Sequence, residues 1–161
     1  MILDRKQIVY RQAGIKDIET LIDYRVMFLK EVQKDITKEK EILLRIELRK
    51  YFIKSLKDNS YITWFAEYVN QIVGLGGMVV REQPGNFLLI TGKLGYILNM
   101  YTIPEFRGNG IGKEILKRLV TYGKSIRLER IDLHATPMGE PIYRKLGFKE
   151  PHDKAMELML K

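Results

Sequence analysis

Three glycines on alternate positions, Gly108, Gly110 and Gly112, stand where a strand-like run must give way to a helix. The run Tyr96-Ile97-Leu98-Asn99-Met100-Tyr101-Thr102 leads in. Apolar Ile111, Ile115, Leu116, Leu119, Val120 and Tyr122 recur at helical spacing on the way out. With no Cβ in the way, the glycine backbone can approach a ligand closely. The same N–H groups lie at a helix N-terminus, where unpaired donors and the helix dipole favour an anion. Strand, glycine turn and helix therefore make a phosphate cradle.

Spacing excludes the two commonest cradles. A P-loop needs Gly, four residues, then Gly-Lys-Ser/Thr. Gly112-Lys113 supplies the second half, but Arg107 stands at the first glycine and Glu114 at the magnesium-binding hydroxyl. A dinucleotide fingerprint needs G-x-G-x-x-G. Counted from Gly108 its third glycine falls on Lys113, and from Gly110 on Ile115.

Charge gathers at the same place. Of the overall +8, residues 107–130 carry +5, seven basic side chains against Glu114 and Glu129. An excess of this kind suits a phosphate-rich ligand. It would also suit nucleic acid. No basic strand interleaved with aromatics accompanies it, which argues against nucleic acid.

The other bounds are broad. A chain of 161 residues, 45% hydrophobic and 30% charged, suits one globular domain, expected here over 1–161. No apolar run approaches a membrane span. Met1 to Gln7 lack a signal peptide's apolar core, so a cytoplasmic location is expected. There is no Cys, hence no disulfide, no thiol-ligated metal and no cysteine nucleophile. No metal site is expected.

Periodicity places a strand at 8–11, helices at 15–30 and about 37–58, and a hairpin of strands 61–68 and 72–80 turning at Asn70-Gln71. After a looser stretch come a strand at 95–102, the cradle helix at 110–124, a strand at 130–135, a helix at 139–146 and a last strand near 154–160.

The run Pro104-Glu105-Phe106-Arg107-Gly108-Asn109-Gly110-Ile111-Gly112 resembles the pyrophosphate loop of the GNAT-type N-acetyltransferases, with its Arg/Gln-x-x-Gly-x-Gly/Ala signature. About 30 residues on, Pro141-Ile142-Tyr143-Arg144-Lys145-Leu146-Gly147-Phe148 resembles that family's penultimate helix and the turn after it. The resemblance is close over residues 61–161 and loose before. It implies an α/β (α+β) acyl-CoA N-acyltransferase fold, a central mixed, mostly antiparallel sheet flanked by about four helices.

It also implies acetyl-coenzyme A as cosubstrate and direct transfer to the amine of a small molecule or peptide. No membrane or nucleic-acid partner is expected, and a homodimer is one permitted assembly. Cofactor contacts fall on Met100, Tyr101 and Thr102 of the strand, on Arg107, Gly108, Asn109, Gly110, Ile111, Gly112 and Lys113 of the turn, and on Thr136, where many relatives have Asn. The Met100 N–H would steady the developing oxyanion, and Tyr143 would protonate the leaving thiolate.

A proton acceptor for the amine is harder to find. Between Gly95 and Ile103 there is no carboxylate, and Glu31, Asp35, Glu67 and His134 are the candidates. Trp64 is read as core, or as a wall of an acceptor pocket with Tyr24 and Phe28. A non-catalytic acyl-coenzyme A-binding module is the alternative.

Overall fold

Alternation of side chains across the strands decides which helix covers which face. The computed structural model describes residues 4–160; Met1–Leu3 and Lys161 of the expected 1–161 domain lie outside the described residues. Five strands, β1 (Val9–Gln12), β2 (Tyr61–Tyr68), β3 (Gln71–Glu82), β4 (Lys93–Thr102) and β5 (Arg130–Leu133), lie in that order in one sheet. Every pairing is antiparallel except β4 with β5, which is parallel. Helices α1 (Ile18–Val32) and α2 (Lys38–Lys57) cover one face. Helix α3 (Ile111–Ser125) crosses the other against β2, β3 and β4, and α4 (Glu140–Lys145) follows β5.

The two faces are held differently. Helix α3 buries Ile111, Ile115, Leu116 and Leu119. Its close approach depends on Gly76 of β3, where a Cβ would meet the Ile115 Cγ2 at 2.7 Å. Helix α2 buries only Phe52 and Ser55. Its N-terminus is capped by Thr37, whose hydroxyl accepts from the Lys40 N–H at 3.2 Å. Arg45–Asp23 and Arg49–Glu19 at 2.7 Å tie it to α1. Exposed pairs of this kind contribute about 0–1 kcal/mol each, so Phe52 against the buried Tyr61 ring, at 5.2 Å, is the stronger anchor.

Two expectations shift. The β2–β3 hairpin turns at Val69-Asn70, one residue early, and both carry positive φ, 48° and 60°. A two-residue turn with that geometry matches the right-handed twist of its strands. The strand expected near 154–160 does not form, and the segment has no regular structure. Met156, Leu158, Met159 and Leu160 are each at least 77% exposed. Alternating apolar residues make a strand only where a neighbour accepts their ladder. Here the edge on offer, β5, is four residues long, and Pro151 at the start of the tail has no N–H to donate.

One irregularity positions the site. Leu75 pairs with Tyr101 and Gly77 with Leu98, so Gly76 faces two residues, Asn99 and Met100. This is a β-bulge. Asn99 takes the left-handed conformation, φ 58°, and is buried. Asn is among the few residues that tolerate that region. The bulge bends β4, and its pairing with β5 ends at Ile97–Leu133, just before it. Beyond that point no ladder joins the two parallel strands, and this open end of their pairing forms the V of the site.

Candidate active site

The V has β4 residues 98–102 on one side and the segment from β5 into α4 on the other. The glycine turn closes its end. A 3-10 turn, Pro104–Phe106, delivers the chain to Gly108 and Gly110, whose φ values are +78° and +81°. Only glycine enters that region without strain. A Cβ at either position would have nothing within 4 Å, so open space faces the turn. Among the described residues, the N–H groups of 108–110 donate to no other part of the chain. Those of the first turn of α3 follow them in the usual unpaired state. Free donors in front of open space are what a pyrophosphate needs, and the resemblance's cosubstrate fits on that observation.

The expected cofactor residues converge here, but not all with free side chains. A Cβ on Gly112 would stand 3.9 Å from Ile142 Cδ1 and 4.0 Å from Thr102 Oγ1, so β4, α3 and α4 meet at this glycine. Asn109 spends its amide on the turn itself, donating to the Phe106 and Arg107 carbonyls at 3.1 and 3.2 Å. Arg107 is clasped from behind. Its Nε donates to the Thr102 carbonyl at 2.8 Å, its Nη2 to Glu31 at 2.6 Å, and its guanidinium lies over the Tyr101 ring. The Tyr101 hydroxyl donates to the other Glu31 oxygen at 2.6 Å. Arg107 and Asn109 therefore shape the loop with their side chains and leave their backbone to a ligand.

Lys113 is exposed at the mouth of a cavity of about 270 Å³, which Arg5, Tyr10, Asn109, Gly110 and Lys117 also line. Met100 drapes its sulfur over Gly76 on the α3 side. That packing leaves the N–H role open, since the two use different atoms. Thr136 accepts from the Gly139 N–H at 3.2 Å and so caps the turn into α4. Tyr143 is buried, edge-on to Phe148 at 5.9 Å. Burial pushes its phenol above the ordinary value. A phenol kept protonated in this way is in the form a general acid needs.

Among the candidate proton acceptors, Glu31 is fully engaged. The Tyr101 hydroxyl, and then Arg107, hold its carboxylate below the ordinary range. Burial and the Glu31 bond push the Tyr101 phenol up to about 12. Glu67 is paired with Arg11 at 2.6 Å. Asp35 lines a cavity with Lys30 and Lys34 on the α2 side of α1. The α1 residues that reach toward β4 are instead Tyr24, Phe28 and Glu31, one helical face. Trp64 lies on the opposite side of the sheet from Tyr24 and Phe28, under the Arg118 guanidinium of α3, so the three share no pocket. The residue sequence reasoning passed over is Asn99. An Asn inside a β-branched and aromatic run is a poor strand former that tolerates left-handed backbone, and it was the available sign of a bulge.

Comparison with known proteins agrees with this geometry. Residues 28–148 match the Acetyltransferase (GNAT) family. The crystal structure of a predicted acetyltransferase with acetyl-CoA from Clostridium acetobutylicum superposes with a TM-score of 0.85 at 35% identity, over 95% of this chain and 96% of that one. A GCN5-related N-acetyltransferase from Ralstonia eutropha JMP134 superposes at 0.82 with 26% identity, over 94% and 98%. A curated relative, glucosamine 6-phosphate N-acetyltransferase of Trypanosoma brucei brucei, is 28% identical over 90 residues. That match spans 56% of this chain and 58% of the relative's length. The open cradle, the V beside it and a family match over three quarters of its length make this chain a member of the GNAT acetyltransferase family.

Proposed function

We propose that this protein transfers an acetyl group from acetyl-coenzyme A directly to a primary amine of a small molecule or peptide. The observation that carries the reading is the V opened by the bulge, with the unpaired N–H groups of the glycine turn at one end and the helix of Tyr143 reaching Gly112 through Ile142. Acetyl-coenzyme A supplies an activated acyl group. The chain's own part is to bind and orient. Residues 108–113 hold the pyrophosphate, and Met100 turns its N–H toward the oxygen on which charge develops. Tyr143 gives its proton to the sulfur. With no Cys in the chain, an acyl-enzyme through a thiol is impossible, which favours direct attack by the amine.

The test has two parts. Coenzyme A and acetyl-coenzyme A should raise the melting temperature, because a ligand that binds only the folded state stabilises it by mass action. NAD and ATP should do much less. Thiol release is then followed with amines that include glucosamine 6-phosphate, aminoglycosides, polyamines, amino acids and peptides with free N-termini. Equal stabilisation by all nucleotides rejects the reading. Selective coenzyme A binding without thiol release from any amine supports a binding module instead.

A further inference from the structure

We infer that His134, held by Tyr96, is the group that takes the proton from the attacking amine. The inference rests on the acetyl-transfer reading above and adds to it the residue that the sequence leaves unassigned.

Position comes first. Parallel pairing ends at Ile97–Leu133, so His134 is the first residue of the β5 segment beyond the ladder, at the point where the V opens. Its neighbour across the gap is Leu98, two positions before Met100. At about 3.3 Å of rise per residue, His134 lies within roughly 7 Å, along the strand, of the amide assigned to the oxyanion. Its face is the second point. Tyr96 pairs with Val79, and Tyr101, beyond the bulge, pairs with Leu75. Val79, Gly77 and Leu75 alternate on one side of β3, so Tyr96 and Tyr101 open onto the same side of the sheet. That is the α1 side, where Tyr24 and Phe28 meet Tyr101. Helix α3 and the cradle hold the donor from the other side. An amine entering over α1 residues meets His134 before it reaches the thioester.

The imidazole is exposed but not free to wander. Its Nδ1 lies 2.5 Å from the Tyr96 hydroxyl oxygen, and the rings stand 5.7 Å apart at 55°. Tyr96 is fixed in turn. The Arg81 guanidinium lies over its ring at 5.7 Å and donates to Asp132 at 3.2 Å. Arg130 donates to the same carboxylate at 2.8 Å. The charged and titratable groups around His134 are thus Arg81 of β3, Tyr96 of β4, and Asp132 and Arg130 of β5. The proposal assigns the tautomer in which Nδ1–H donates to the Tyr96 oxygen, so that the lone pair sits on Nε2, directed away from Tyr96. The other candidates lack this freedom. Both oxygens of Glu31 are bonded, and Glu67 is paired with Arg11.

The step balances within the chain. As the bond from nitrogen to acetyl carbon forms, the nitrogen's proton passes to His134 Nε2, directly or through one water. The carbon–sulfur bond breaks and the sulfur takes the Tyr143 proton. The products are the N-acetylated amine and the free thiol, and the imidazolium and tyrosinate return to their starting forms by proton exchange.

Nuclear magnetic resonance of ¹⁵N-histidine-labelled protein tests the assignment without any acceptor. The chain has two histidines, and His152 serves as the internal control. At about pH 8, where a histidine is ordinarily neutral, His134 should show a protonated Nδ1 and a bare Nε2. Adding acetyl-coenzyme A should move the His134 signals and leave those of His152. In the transfer assay, with glucosamine 6-phosphate, spermidine or an N-terminal peptide as acceptor, His134→Gln should lower kcat/KM by about 10²-fold. Its coenzyme A affinity by calorimetry should stay within about twofold of the parent. The acid limb of the parent's pH–rate profile should vanish in that variant, and Tyr96→Phe should give an intermediate loss. A His134 with the proton on Nε2, or a Gln variant within about threefold of the parent, overturns the assignment alone. If no amine in the panel turns over, the tautomer decides. A parent that binds no acetyl-coenzyme A overturns the functional reading and this proposal with it.

Discussion

The two sides of β4 are built by different means. On the α3 side the proposed donor cradle is made of backbone. Its residues run almost continuously from Pro104 to Lys113, and its specificity lies in φ angles and unpaired N–H groups. On the α1 side the proposed acceptor surface is made of side chains. Glu31 comes from α1, Arg81 from β3, Tyr96 and Tyr101 from β4, and His134 from the β5 segment. The first kind of site depends on local sequence and resists change everywhere except at glycine. The second depends on long-range register, and a small shift disperses it.

This contrast can be broken or sharpened in four ways. The largest effect is expected at Tyr143, which on the proposed mechanism meets the donor with a side chain rather than a backbone group. Tyr143→Phe keeps the ring against Phe148 and removes the hydroxyl, so kcat should fall about 10²-fold or more, with coenzyme A affinity little changed. A stopped assay of free thiol reads this, and a variant within threefold of the parent would reject the acid role.

Next comes Gly112, which is not in the left-handed region and has room for a Cβ. Gly112→Val should fold with about the parental stability and bind coenzyme A about tenfold or more weakly, equivalent to about 1.4 kcal/mol. Unchanged affinity by calorimetry would move the cradle elsewhere. Gly110 is the poorer probe, because its φ of +81° makes any β-branched replacement strained whether or not ligand binds.

The third effect concerns the bulge that separates the two sides. Asn99→Ala should destabilise by about 1 kcal/mol, since Ala pays more than Asn for left-handed backbone. Thermal melting measures it, and Asn99→Gly should recover most of the loss. If both variants melt like the parent, the bulge carries no strain and its position is set by packing alone.

The smallest effect is at the clasp. The Glu31 carboxylate is held below its ordinary range by Tyr101 and Arg107. A carboxylate with a lowered folded value stabilises above its unfolded value and loses that stabilisation as pH falls through the folded one. The protein should therefore lose stability on acidification through and below the ordinary glutamate range, and Glu31→Gln should flatten part of that loss. Because the pair is partly exposed, the change at neutral pH should be modest. Denaturant melts between neutral and acidic pH read it. An identical pH dependence in Glu31→Gln would mean that the clasp holds nothing.

Each of these sites was legible to a different degree. The cradle could be read because a left-handed turn before a helix must be written with glycine, and the chain writes it at Gly108 and Gly110. Helix α3 could be read because one face of it is buried and its apolar residues recur at that period. Thr37 announced α2 because a hydroxyl at that position caps the first turn. The tail misled for the opposite reason. Its alternation of Met156, Leu158 and Leu160 is a genuine strand pattern, but a pattern describes a surface and not the neighbour needed to cover it.

What the sequence determined by itself is whatever rests on local backbone preference and local periodicity: the strand–turn–helix of the glycine cradle, the order of the elements from β1 to α4, and the absence of a thiol nucleophile. What only the tertiary structure decided is whatever rests on register. The bulge at Asn99 exists because Gly76 must face two residues of β4, and that pairing couples positions more than twenty residues apart. The same register turns Trp64 away from Tyr24, engages both oxygens of Glu31, and leaves His134 with one bonded nitrogen at the mouth of the V. A side chain's chemistry is written in its own residue, but its partner is chosen by strands that meet across the sheet, and no local rule fixes that choice.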